Sequence, residues 1–91
     1  MTRYRKIPTE IDAMQFTGDN IHQIMTFVEE KTGCHNSKVL EYSPEDNIFY
    51  VRSPEGDMQL LPGSFLIRGI EGEFYPCKES VFWKTYEPVE G

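Results

Sequence analysis

Cysteine is nearly missing from this chain, and the two present, Cys34 and Cys77, belong to no CxxC pair. That scarcity excludes a disulfide scaffold and a four-cysteine zinc site, because either needs more thiols at fixed spacing. Histidine is as rare, with His22 and His35 the only two. The one conceivable ligand set, His22, Cys34, His35 and Cys77, matches no zinc spacing, and adjacent Cys34 and His35 converge poorly on a tetrahedral ion, so no metal site is expected. No apolar run approaches the roughly 20 residues that cross a bilayer. The basic start Met1 to Lys6 leads into no signal-peptide hydrophobic stretch, so the expected compartment is the cytosol. Phosphate-binding loops are missing too: Gly69 and Gly72 fall in a hairpin, not between a strand and a helix N-terminus. Ser64 stands in no G-x-S-x-G frame, and Glu45, Asp46, Glu55, Asp57, Glu71 and Glu73 sit at turns, where solvated carboxylates are ordinary. No catalytic residue and no cofactor is therefore expected, and the protein is read as a non-enzyme.

What is present suffices for one core. The 91 residues are 38% hydrophobic and 13% aromatic, which predicts a single domain over 1–91 whose large rings compensate for its small size. Charge is unevenly placed. Residues 1–9 hold Arg3, Arg5 and Lys6 and no acid, so the net charge of −6 leaves −9 on the remainder. A body that negative is repelled by nucleic acid phosphate and steered toward basic protein surfaces.

The element pattern predicts an α+β fold in the order β-α-β-β-β-β-β-α. Residues 10–17 alternate as a strand covered on both sides. Gly18, Asp19 and Asn20 then stop it, with Asn20 as N-cap and Gln23 in capping-box position. Ile21, Ile24, Met25 and Val28 recur at helical spacing, and Gly33 supplies a left-handed stop. Beyond Ser37 the texture becomes short strands over 39–42, 48–52, 58–61, 65–70 and 73–75, punctuated by turn residues about every ten positions. Pro62-Gly63 has type II turn chemistry, and Pro76 is read as the end of the last strand. Residues 80–86 form a short closing helix. Sequential hairpins predict one strongly bent antiparallel sheet, a half-barrel, with the main helix packed on it. Its exposed edges predict a homo-oligomer.

The side chains that stand out are aromatic and cationic. Arg68 shares a strand face with Leu66 and Ile70, while Arg52 shares one with Ile48 and Tyr50. Tyr75, Phe82, Trp83 and Tyr86 follow within a short stretch. Planar rings beside guanidinium forks stack on a base and grip a phosphate, which makes Arg68, Arg52, Tyr75, Trp83, Tyr86 and Tyr50 a candidate site for a nucleotide-type small molecule. The plainer alternative is that the arginine stems cover the core edge and pair with Glu73 or Glu41 while the rings fill the core.

Two stretches also carry a family resemblance. Tyr4 to Asn20 is similar to the start of small phage and prophage proteins, and Pro62 to Lys78 resembles the signature segment of the PGDYG family. The chain departs at Ser64 and Phe65, where that family usually has Asp and Tyr. The resemblance implies a phage accessory protein acting in the bacterial host cytosol. In that setting the expected job is to antagonise host antiviral defence by sequestering a nucleotide-type immune signal. The alternatives are an acidic protein that blocks a basic surface of a defence effector such as a CRISPR nuclease, and a structural or assembly protein of a phage.

Overall fold

The computed structural model describes residues 2–4, 9–32 and 39–89; the expected helix stop Gly33, with Cys34 and His35, lies outside them. Eight elements appear in the expected order: β1 Asp12–Gln15, α1 Ile21–Thr32, β2 Leu40–Ser43, β3 Ile48–Ser53, β4 Gly56–Leu60, β5 Phe65–Arg68, β6 Phe74–Cys77 and α2 Glu79–Thr85. The fold is α+β. No described helix is long and apolar enough to cross a membrane.

The strands do not join into the single bent sheet that the meander pattern suggests. They form two antiparallel sheets of three, ordered β1-β5-β6 and β2-β3-β4. The break falls at Pro62-Gly63. The turn has its expected chemistry, with Gly63 at φ +96° and the Ser64 N–H donating to the Leu61 carbonyl at 3.0 Å. However, the Gly63 N–H donates to the Phe16 carbonyl at 2.6 Å and the Phe16 N–H to the Ser64 carbonyl at 2.9 Å. These bonds tie the turn to the end of β1, so β5 leaves β4 and pairs with β1 instead.

Pro76 requires a second correction, because β6 runs through it to Cys77. The Gly69 N–H donates to the Glu73 carbonyl at 2.7 Å, which makes Gly69 and Glu73 a hydrogen-bonded pair. Bonded pairs alternate along an antiparallel ladder. Pro76, opposite Leu66, therefore points its nitrogen away from β5. β6 is an edge strand, and a missing donor there costs no ladder bond.

The pleat of the first sheet serves two cores. Met14, Leu66 and Phe74 face α1, where Phe16, Ile24, Val28, Phe49, Val51 and Leu60 are wholly buried. Ala13, Phe65, Ile67, Tyr75 and Cys77 face the opposite way, onto Phe82 of α2. Polar side chains fix the joints between these layers. The Gln15 Nε2 donates to the Gly63 carbonyl at 2.9 Å and to the Glu79 carboxylate at 2.6 Å, linking β1 to the corner and to the start of α2. Asn47, the one described non-glycine residue with positive φ (54°), donates to the Gly18 carbonyl at 3.1 Å and accepts from the Tyr42 hydroxyl at 2.6 Å. Asn20 precedes α1 as expected. Its side chain turns back to the strand, accepting from the Thr17 N–H at 2.8 Å and donating to the Gln15 carbonyl at 2.8 Å.

Candidate functional site

α2 is seven residues long, too short to hold helical shape alone in water. It is held by a ring cluster: Phe82 stacks on Phe65 with centroids 3.8 Å apart and planes at 4°, and Tyr86 tilts against Phe82 at 5.2 Å. Trp83 sets its edge against Phe65 at 5.4 Å and Phe82 at 5.1 Å while remaining 53% exposed. Glu79 in the first turn and Lys84 in the last suit the helix dipole.

Where α2 and the residues after it overhang β1, they leave an open groove of about 1180 Å³. One wall is the chain from Thr9 to Ala13, and the other runs from Phe82 to Val89. Trp83, Ile70 and Val89, all exposed apolar side chains, contribute to its lining. Among the described residues, its charged lining consists of Glu10, Asp12, Glu87 and one cationic residue, Arg68.

Of the six residues singled out in the sequence, Arg68, Trp83 and Tyr86 border this groove. The pleat puts the Arg68 side chain on the Leu66 side of β5, and its guanidinium reaches over the turn at Gly72. Tyr75 belongs to the opposite face, its hydroxyl 3.3 Å from that of Tyr86. Arg52 and Tyr50 stand on the other sheet. Arg52 is held by Glu41 at 3.0 Å, one of the two acidic partners foreseen for the arginines, and Tyr50 borders a separate hollow of about 350 Å³ beside Glu41 and Glu45. The two arginines do not share a cavity, because β3 and β5 belong to different sheets.

Glu10, Ile70, Glu87 and Val89 had not been singled out. Ile70 carries the one local signal, an apolar residue beside the Glu71-Gly72 turn, where the chain must reach the surface. For the others no signal is local, since the groove exists only after α2 folds back across β1.

No family model, curated protein or solved structure matches the chain. The likeness to PGDYG proteins thus rests on the two quoted stretches alone.

Burial raises the Tyr75 phenol above its ordinary value near 10, reinforced by the hydrogen bond to Tyr86 and the negative charge of Glu73. A group whose pKa is higher folded than unfolded stabilises the fold fully below the unfolded pKa, and that stability is lost as pH rises through the folded value. Melting temperature should therefore fall as pH rises beyond about 10, and Tyr75→Phe should flatten that fall. An unchanged slope in the variant would assign the loss to other groups. Burial likewise pushes the Cys77 thiol up, which keeps it protonated and a poor nucleophile near neutrality.

Proposed function

We propose that the protein is a non-enzymatic binding protein whose groove between β1 and α2 receives a basic segment of another protein. The observation that carries this reading is the lining itself: an exposed Trp83 in a groove whose described charged residues are Glu10, Asp12 and Glu87 against Arg68. An exposed tryptophan beside other apolar side chains is the usual anchor of a protein interface. The carboxylates, together with the −9 body, steer a cationic partner toward it and repel a phosphate-bearing ligand. In the setting that the phage-type resemblance implies, the partner is a basic face of a host defence effector, which the protein occupies and blocks.

Capture of a nucleotide-type immune signal is the second reading. It is favoured by Arg68, Trp83 and Tyr86 bordering one groove. It loses weight because Arg52 is paired on the other sheet and because the groove's charge is mostly negative.

Titration calorimetry separates the two. A lysine-rich peptide should bind, and its affinity should drop about tenfold or more when salt rises from about 50 to about 300 mM, since exposed charge pairs are screened over about 10 Å at 0.1 M. Cyclic nucleotides and ADP-ribose derivatives should give no heat. Heat from a nucleotide with none from the peptide would reverse the order of the two readings.

A further inference from the structure

The hydrogen-bond parity of β1 identifies which of its backbone groups are open. Phe16 and Ser64 are a bonded pair across β1 and β5, with the Phe16 N–H donating at 2.9 Å. Bonded pairs recur every second residue, so Met14 faces Leu66 and Asp12 faces Arg68 through the ladder. The intervening residues, Ala13 and Gln15, turn their N–H and C=O groups away from β5. Gln15 is partly satisfied there, its carbonyl accepting from the Asn20 Nδ2 at 2.8 Å. Ala13 points its groups along the outer edge, and β1 is the terminal strand of its sheet. Among the described residues, nothing takes the outward groups of Ala13. The groove lies against this same stretch of chain, under Trp83 and Val89.

An unpaired strand edge beside an apolar groove is the arrangement that accepts an added strand, with main-chain bonds giving affinity and alternate side chains giving selectivity. We propose that the occupant of the groove is an extended basic segment of a partner protein, bound as a fourth strand on β1 through the backbone groups of Ala13. This inference rests on the basic-partner reading above and specifies its mode. The added strand would alternate its side chains across the sheet plane. Aliphatic residues on one face would lie against Trp83 and Val89. Lysines on the other would lie toward the Glu10 face. Charge complementarity selects this occupant over an acidic or neutral strand, because among the described residues the lining holds three acidic residues and one cationic one.

The fold supplies its own control for a test. Pro76 already occupies an outward position on edge strand β6 without harm to the ladder. Ala13→Pro is the equivalent change on β1: it removes a donor that points outward and leaves the bonds to β5 in place. The probe is an alternating Lys-Val octapeptide, titrated into wild type and Ala13→Pro by calorimetry, with thermal melts confirming that the variant folds. Wild type should bind and Ala13→Pro should bind at least about tenfold more weakly, the equivalent of about 1.4 kcal/mol. The same peptide N-methylated throughout should not bind wild type, an arm that decides the matter even if the variant fails to fold. Equal binding of both proteins, or of both peptides, overturns strand addition and leaves the basic-partner reading standing. No binding of any peptide overturns the basic-partner reading together with the inference. Sedimentation gives the remaining outcome: a wild-type dimer that dissociates in Ala13→Pro and ignores the peptide would make a second copy of this chain the occupant, and would overturn the assignment to a basic partner.

Discussion

Phe82→Ala should destabilise the protein by about 3 kcal/mol, at the low end of the cost of truncating a buried phenylalanine, and the loss should begin at α2. Phe82 is 7% exposed and is the only buried residue of that helix. Its ring makes the parallel stack on Phe65 and the contacts to Trp83 and Tyr86, so one truncation removes the centre of the second core. A seven-residue helix has no independent stability to fall back on. The main core would remain, because Phe16, Ile24, Phe49 and Leu60 are buried on the other side of the first sheet, in a cluster separate from these rings. For a domain of this size the melting temperature should drop by roughly 12 to 24 °C, at about 4 to 8 °C per kcal/mol. Amide exchange should show residues 81–86 losing protection before β3. Phe49→Ala is the comparison: Phe49 is wholly buried and packs on both Phe16 and Tyr42, so its loss should lower protection everywhere together. A Phe82→Ala variant within 1 kcal/mol of wild type, with α2 amides still protected, would refute a helix held by that ring; the threshold lies well below the usual 3 to 5 kcal/mol.

The contrast between the two cores explains which features were readable along the chain. Element order was legible because each element announces itself locally, by the Ile21, Ile24, Val28 stripe of α1 or the Pro62-Gly63 and Glu71-Gly72 turns. Strand partners were not. Pro62-Gly63 specifies how the backbone bends, but whether the bend closes a hairpin or hands the chain to another sheet depends on the Phe16 carbonyl, 47 residues before Gly63. Pro76 fails as a strand terminator for the same reason: its tolerance depends on which edge its nitrogen faces, and that parity belongs to the pair with β5.

The candidate site divides along the same line. Glu41 sits opposite Tyr50, two residues from Arg52, across a short hairpin, and the pairing of Arg52 with Glu41 was among the alternatives foreseen because β2 and β3 are neighbours in sequence. Arg68, Tyr75 and Trp83 are also close in sequence, yet the pleat of β5 and β6 sends Arg68 and Tyr75 to opposite faces. Glu10 and Glu87 line one groove from near the two ends of the described chain. No local pattern marks such a meeting, and it is what leads us to propose a cationic ligand in place of an anionic one.

Trp83→Ala should separate binding from folding. The side chain is 53% exposed and makes only edge contacts with Phe65 and Phe82, so its removal should cost about 1 kcal/mol of stability, in the range of an aromatic pair. If the groove is an interface, the same change should cost at least about 2 kcal/mol of affinity for the Lys-Val peptide, roughly thirtyfold, as truncating an anchor tryptophan does. The argument turns on position within one helix. Val81 is exposed to a similar degree, at 50%, but does not line the groove, so Val81→Ala should leave both melting temperature and affinity unchanged. Glu87→Lys adds an electrostatic arm: it replaces one of the three groove carboxylates with a cation and should weaken peptide binding most at low salt, with the difference shrinking as screening increases. Should Trp83→Ala and Val81→Ala bind the peptide equally, the groove would be a surface feature of α2 docking and not the place where a partner is held.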